Sequence, residues 1–250
     1  MTTFNHGSPE LKEAHTVNCY NIIGDIHGRT CWQQLVRTDA VNIFVGDYFD
    51  PYEPVSPGAL LQNFGNIIAF KRSRPDTVLL YGNHDLHYLT ERERCSRYDA
   101  MYAQQYRQSL QSARTLFDGV AFAAGSTLVS HAGVTREWYE SMFGTYQGES
   151  PAIVAAYIND LWRNNKAEFA FAANAVSPTD IYGESPTHSP LWVRPWTLAH
   201  HNLFARTAYS QVFGHTQVDD ITAAGERLIC IDCLGTTEKT YLLTNTNNTN

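Results

Sequence analysis

The stretch Tyr81-Gly82-Asn83-His84-Asp85-Leu86-His87-Tyr88-Leu89 follows directly on the apolar run Thr77-Val78-Leu79-Leu80. Such a short run, flanked by turn residues, reads as a buried strand. A turn after it uses the glycine and the asparagine, but turn chemistry has no need of His84 or Asp85. Four other runs end in the same way. "IIGDIHG" leads to Asp25 and His27, "FVGDYFD" to Asp47 and Asp50, "LVSHAG" to His131, and "VFGHT" to His215. In open α/β sheets ligands bind beyond the carboxyl ends of the strands, where the loops share one crevice. Here five strand ends each deliver an oxygen or imidazole donor, usually beside a glycine that permits the tight turn.

The rest of the chain agrees with an α/β reading. Segments of helical character, "TCWQQLVRT" and "ALLQNFGNIIAFKR", follow the first two runs, which implies βαβ units with parallel strands. A third helix is expected in "SPAIVAAYINDLWRNNKAEFAFAA", opened by Ser-Pro. The strand-rich C-terminal part suggests meandering pairing, and "SPTDIYGESPTHSPLWVRPW" reads as a long loop. One domain over 18–244 is expected, with flexible tails at 1–17 and 245–250.

Composition narrows the function classes. A net charge of −7 argues against a broad nucleic-acid surface. No run reaches the ~18 apolar residues of a membrane span, and the N-terminus lacks the apolar centre of a signal peptide, so a cytoplasmic protein is the expectation. The five cysteines do not form a disulfide framework. "CIDC" has no second pair to complete a zinc site, so "RLICIDCL" reads as a strand with Cys230 and Cys233 as small hydrophobes.

Asp, His and Asn donors without cysteine suit Mn²⁺, Fe or Zn²⁺. Two metals sharing one carboxylate clamp a phosphoryl group at a spacing of ~3.5–4 Å. With Asp25, Asp47 and one hydroxide, two divalent ions leave roughly +1, because Asn83 adds an oxygen without charge; a third aspartate would cancel that excess.

The ordered blocks Gly24-Asp25-Ile26-His27-Gly28, Gly46-Asp47-Tyr48-Phe49-Asp50, Gly82-Asn83-His84-Asp85, His131-Ala132-Gly133 and Gly214-His215-Thr216 resemble those of the calcineurin-like metallophosphoesterases, most closely the serine/threonine phosphoprotein phosphatase branch of bacterial type. The resemblance implies a two-sheet αββα sandwich. It also implies two divalent metal ions, with Mn the first choice and Fe or Zn as alternatives. Asp25 and His27 would hold one metal, Asp47 would bridge, and Asn83, His131 and His215 would hold the other. A metal-bridging hydroxide would attack phosphorus directly, with His84 as general acid and Asp50 as its carboxylate partner. The implied substrate is a phosphorylated protein or small molecule. Alternatives are dinucleoside polyphosphate hydrolysis and a catalytically silent metal-binding scaffold.

The chain departs from that branch at its phosphate-gripping arginines. It reads Asp50-Pro51-Tyr52 where the branch has Asp-Arg-Gly, and Tyr81 where the branch has arginine before Gly-Asn-His. Arg194, in "LWVRPW", is either a phosphate contact or stacks on Trp192 or Trp196. His6, His15, His188, His200 and His201 read as non-ligands, and His87 as pointing into a helix start. Arg72, Arg74, Arg92, Arg94 and Arg97 read most simply as solvated, with a few expected to rim the crevice.

Overall fold

The computed structural model describes residues 19–90, 94–174, 180 and 182–244; the expected tails, His6, His15 and Arg92 lie outside these. The first apolar runs form β1 (Cys19–Ile23), β2 (Val41–Phe44) and β3 (Val78–Leu79), with α1 (Trp32–Leu35) and α2 (Pro57–Ser73) between them. Ser56 caps α2 by accepting from Ala59 N at 3.3 Å, and Pro57 opens it. Leu60, Asn63, Phe64, Ile67, Ile68 and Lys71 then form one buried face at helical spacing. Next come α3 (Asn83–Thr90), α4 (Ala103–Ser112), β4 (Ala121–Ala124), β5 (Thr127–Ser130), α5 (Arg136–Phe143) and α6 (Pro151–Asn164). The chain ends with α7 (Pro195–His201), β6 (Ser210–Phe213), β7 (Thr222–Gly225), β8 (Leu228–Cys230) and β9 (Tyr241–Thr244).

Two sheets result, ordered β3-β2-β1-β9 and β4-β5-β6-β8-β7. Strands β1, β2 and β3 are mutually parallel, as are β5, β6 and β8. Successive residues alternate between two apolar layers. Ile22, Ile43 and Val78 pack with Val129 and Val212 between the sheets, whereas Ile23, Phe44 and Leu79 face the helices with Phe64 and Ile67. Burial on both faces explains why these strands read as continuous apolar runs. Helix α6 packs on β4 and β5 and α7 on β7, so the architecture is a helix-covered α/β sandwich. No helix among the described residues is long and apolar enough to cross a membrane.

Three expectations are corrected. The C-terminal part is no simple meander. Strand β8 pairs parallel with β6, and β9 crosses to the other sheet, antiparallel to β1. The helix expected through residue 173 stops at Asn164, and short 3₁₀ turns cover Lys166–Phe169 and Phe171–Asn174. "RLICIDCL" pairs only over Leu228–Cys230, so Asp232 leaves the ladder; Cys230 and Cys233 are buried free thiols.

Candidate active site

Because β1, β2, β3, β5, β6 and β8 run parallel within their sheets, their carboxyl ends can share one edge of the sandwich. The loops there approach too closely for side chains at two glycines. A Cβ on Gly82 would stand 2.1 Å from Asp47 Oδ1, and one on Gly214 2.1 Å from Asp25 Oδ1. The donors themselves bend the backbone. Seven non-glycine residues have positive φ among the described residues, and His27, Asp47, Asp50 and His215 are four of them. Left-handed backbone at such residues costs about 1–3 kcal/mol each and concentrates at functional sites. Helix capping asks for no such geometry, since an N-cap sits in the extended region.

Three histidines are locked by backbone carbonyls. His27 Nδ1 lies 3.0 Å from Phe49 O, His131 Nδ1 3.0 Å from Val45 O, and His215 Nε2 3.1 Å from Trp192 O. Each carbonyl fixes the N–H on that nitrogen and leaves the other as a bare lone pair. The bare atoms then converge on other acceptors. His131 Nε2 is 2.8 Å from Asn83 Oδ1, 3.2 Å from His215 Nδ1 and 3.5 Å from Asp47 Oδ2. His215 Nδ1 is 3.1 Å from Asn83 Oδ1, while His27 Nε2 is 3.4 Å from that same Asp47 Oδ2. Asp47 therefore presents one oxygen to both sets, and its other oxygen accepts from His84 N at 2.9 Å. Asp25 joins Asp47 and His131 in one cluster and accepts from His215 N at 3.1 and 3.0 Å.

Lone pairs facing lone pairs repel unless a cation lies among them. Ligands ~2.0–2.2 Å from a common ion stand about 2.8–3.6 Å apart, and the separations here run from 2.8 to 3.5 Å. Electrostatics agree. Burial, then the neighbouring carboxylates, pushes Asp25 well above the ordinary carboxylate range; Asp47 rises for the same reasons. Burial lowers all three histidines, His131 to about 3. Imidazoles kept neutral by burial are ready to bind a divalent cation, and the repulsion that raises the carboxyls is what such a cation would relieve.

Asp50 and His84 sit beside this cluster. His84 Nδ1 is 2.7 Å from Asp50 Oδ2, and Tyr88 donates its hydroxyl to Asp50 Oδ1. His87 Nε2 is also 2.7 Å from Asp50 Oδ2. His87 thus braces Asp50 from a buried position. Burial would raise Asp50, but His84 and His87 outweigh it and hold the carboxyl below its ordinary range. Burial is the largest effect on His84 and lowers it; Asp50 favours the protonated imidazole but offsets burial only in part. Asp85 belongs to the framework. It accepts from Asp47 N, Gly82 N and Tyr48 N at 2.8–3.1 Å, tying the β2 and β3 loops together.

A cleft of about 510 Å³ opens over the cluster, and Tyr52, Arg94, Arg97, Tyr182, Trp192 and Arg194 line it. Arg97 is no solvated-face residue. Its guanidinium lies 3.6 Å over the Tyr52 ring, its Nε donates to Asp50 O at 3.0 Å, and its Nη2 is 3.4 Å from His84 Nε2. Arg194 stacks on neither tryptophan; it donates to Tyr182 O at 2.7 Å and Thr216 Oγ1 at 3.1 Å. Tyr81 turns away and stacks on Phe117 with centroids 3.9 Å apart. Of the site residues named from sequence, the structure brings all nine to this edge. Sequence reasoning did not single out Arg97 among the arginines of which a few were expected to rim the crevice, and it gave Tyr52 no place there; Asp232, a charged residue inside an apolar run, also passed unremarked.

No curated protein aligns significantly with the chain. The model of the calcineurin-like phosphoesterase family matches residues 21–220, and with a His/Asp cluster suited to divalent cations in place, the chain belongs to that family of phosphoester hydrolases.

Proposed function

We propose that the chain hydrolyses phosphate monoesters of a protein or small molecule, in the manner of the phosphoprotein phosphatases. The observation carrying this reading is Asp47 Oδ2, set 3.4 Å from His27 Nε2 and 3.5 Å from His131 Nε2, between two groups of unprotonated donors. Asp25 and His27 would hold one divalent cation, Asn83, His131 and His215 the other, and Asp47 both. Such a pair supplies Lewis acidity and makes hydroxide available at neutral pH.

The chain's own residues do the rest. Arg97 and Arg194 present charged donors to the phosphate from separate stretches of the chain, in place of the arginines whose positions Pro51 and Tyr81 occupy. Planar guanidinium groups suit this dianion. His84 Nε2 faces the cleft beside Arg97, placed to protonate the leaving oxygen. A phosphate dianion beside it favours the charged imidazole that burial disfavours. Asp50, held by Tyr88 and His87, keeps the His84 ring oriented. The cation-free protein should hydrolyse an aryl phosphate only after Mn²⁺ is added; equal rates in Mn²⁺ and in chelator would refute the reading.

A second reading, dinucleoside polyphosphate cleavage, is favoured by the aromatic walls of the cleft, Tyr52, Phe171, Tyr182 and Trp192. These offer stacking faces for a base. A rate panel of phosphopeptides, nucleotides and dinucleoside tetraphosphate separates the two.

A further inference from the structure

Asp232 follows β8, on the parallel strand next to β6, and its side chain has a role in none of the contacts described so far. The residue is 1% exposed, and neither carboxylate oxygen has a hydrogen-bond partner. Its backbone is fixed from two sides. Val218 N donates to Asp232 O at 3.0 Å, and Gly24 lies so close that a Cβ there would stand 3.3 Å from Asp232 Cα. Asp232 therefore abuts the residue that precedes Asp25. Of the charges that act on Asp25, that of Asp232 is the strongest, so the two carboxylates are neighbours. Arg29 and, more weakly, Arg97 act on Asp232 through charge, yet Arg29 Nη2 has no hydrogen-bond partner, and its Nη1 donates instead to Asp25 O at 3.4 Å.

A buried carboxylate with no donor on either oxygen is retained only where something cationic pairs with it. We propose that Asp232 is a third carboxylate of the metal centre, setting the affinity of the divalent cation held by Asp25 and His27. The inference rests on the metal-pair reading and changes its electrostatics. Asp25, Asp47, Asp232 and one hydroxide balance two divalent ions to roughly zero, so the excess of +1 expected from sequence disappears. Attraction for an anionic substrate then falls to the arginines of the cleft.

The test is Mn²⁺ titration calorimetry with metal analysis on the full-length chain, stripped with chelator, for the wild type, Asp232→Asn and Asp25→Asn. The expected result is two Mn²⁺ per wild-type chain. In D232N one site should weaken about 10–100-fold, with the other within about threefold. Without metal, D232N should melt above the wild type, because one of three crowded carboxylates is neutralised, yet gain less from added Mn²⁺. Wild-type affinities at both sites in D232N would overturn this inference and leave the metal pair standing. A metal-free D232N that melts below the wild type, or fails to fold, would show a structural role and overturn it too. A wild type that binds no Mn²⁺ would overturn both readings together.

Discussion

Replacing His84 by asparagine separates acid catalysis from metal binding because the structure divides the residue's work between two atoms. The backbone N–H donates to Asp47 Oδ1 at 2.9 Å and survives any substitution that keeps the helix. The ring spans from Asp50 Oδ2, 2.7 Å from Nδ1, to the cleft, where Nε2 stands 3.4 Å from Arg97 Nη2. Asparagine is too short to hold Asp50 and reach the leaving oxygen as well, so the proton donor is lost while Asp47 stays in place. General acid catalysis contributes about 10²–10⁴-fold, or ~2.7–5.4 kcal/mol of barrier. The loss must depend on the leaving group. A nitrophenolate departs with little help, and its turnover should fall by about 10²; an alkyl or seryl alkoxide needs the proton, and its turnover should fall toward ~10⁴. Steady-state kcat on both substrates, with metal content measured on the same samples, is the assay. Equal losses on the two substrates, or loss of bound metal, would refute the assignment of His84 as the acid.

Other consequences are open to direct measurement. With free Mn²⁺ at about 100 times Kd, each ion adds ~2.7 kcal/mol, and at ~2–4 °C per kcal/mol for a chain of this size two ions should raise Tm by about 10–20 °C; a rise below a few degrees in thermal melts counts against the centre. Arg97→Ala and Arg194→Ala should each weaken inhibition by inorganic phosphate about tenfold or more, the worth of a charged hydrogen bond, and an unchanged inhibition constant removes that arginine from the phosphate site. Asp180 accepts from Gly183 N, Glu184 N, Ser185 N and His188 Nε2 at 2.7–3.0 Å; burial raises its pKa, but these bonds outweigh it and leave the carboxyl below its ordinary value. Its contribution is therefore present above the unfolded pKa and lost as pH falls through the folded one, so wild type should melt above Asp180→Asn at pH 7, with the gap closing in the acid range below about pH 4; a gap independent of pH would show that the charge is irrelevant.

The strand-end blocks were legible because their signal is local. A glycine, a donor and a preceding apolar run lie within a few residues, and parallel pairing brings their ends to one edge without further information. Arg97 left no such trace. It reaches the cleft from a turn with φ of +62° beyond α3, and its stacking partner Tyr52 comes from a different loop. Nothing in the spacing of Arg92, Arg94 and Arg97 distinguishes an arginine folded over a tyrosine from one in water. The crossing of β9 was hidden for a related reason. Its alternating half-buried pattern fits any sheet edge, and only the tertiary packing chooses β1. Asp232 was hidden by its company, since Cys230, Ile231, Cys233 and Leu234 made the whole run look apolar. The single charge was the informative residue there.

The costs concentrated at this edge decide between a ligand set and a collection of turns. Four left-handed non-glycine residues, three imidazoles aimed at oxygens and three crowded carboxylates, one of them without a hydrogen-bond partner, all occur within the same loops. A structural role for any one residue would favour relieving its strain, and ordinary substitutions would do so: glycine at His27 or Asp47, asparagine at Asp232. Relief at one position leaves the others no better placed, so independent structural roles give no reason for the strains to coincide. A cation shared through Asp47 does. It would make the lone pairs attractive and neutralise the carboxylates, and the bent backbone would serve to bring donors from β1, β2, β3, β5 and β6 to common points. The metal-free fold is then expected to be least stable where it is most functional.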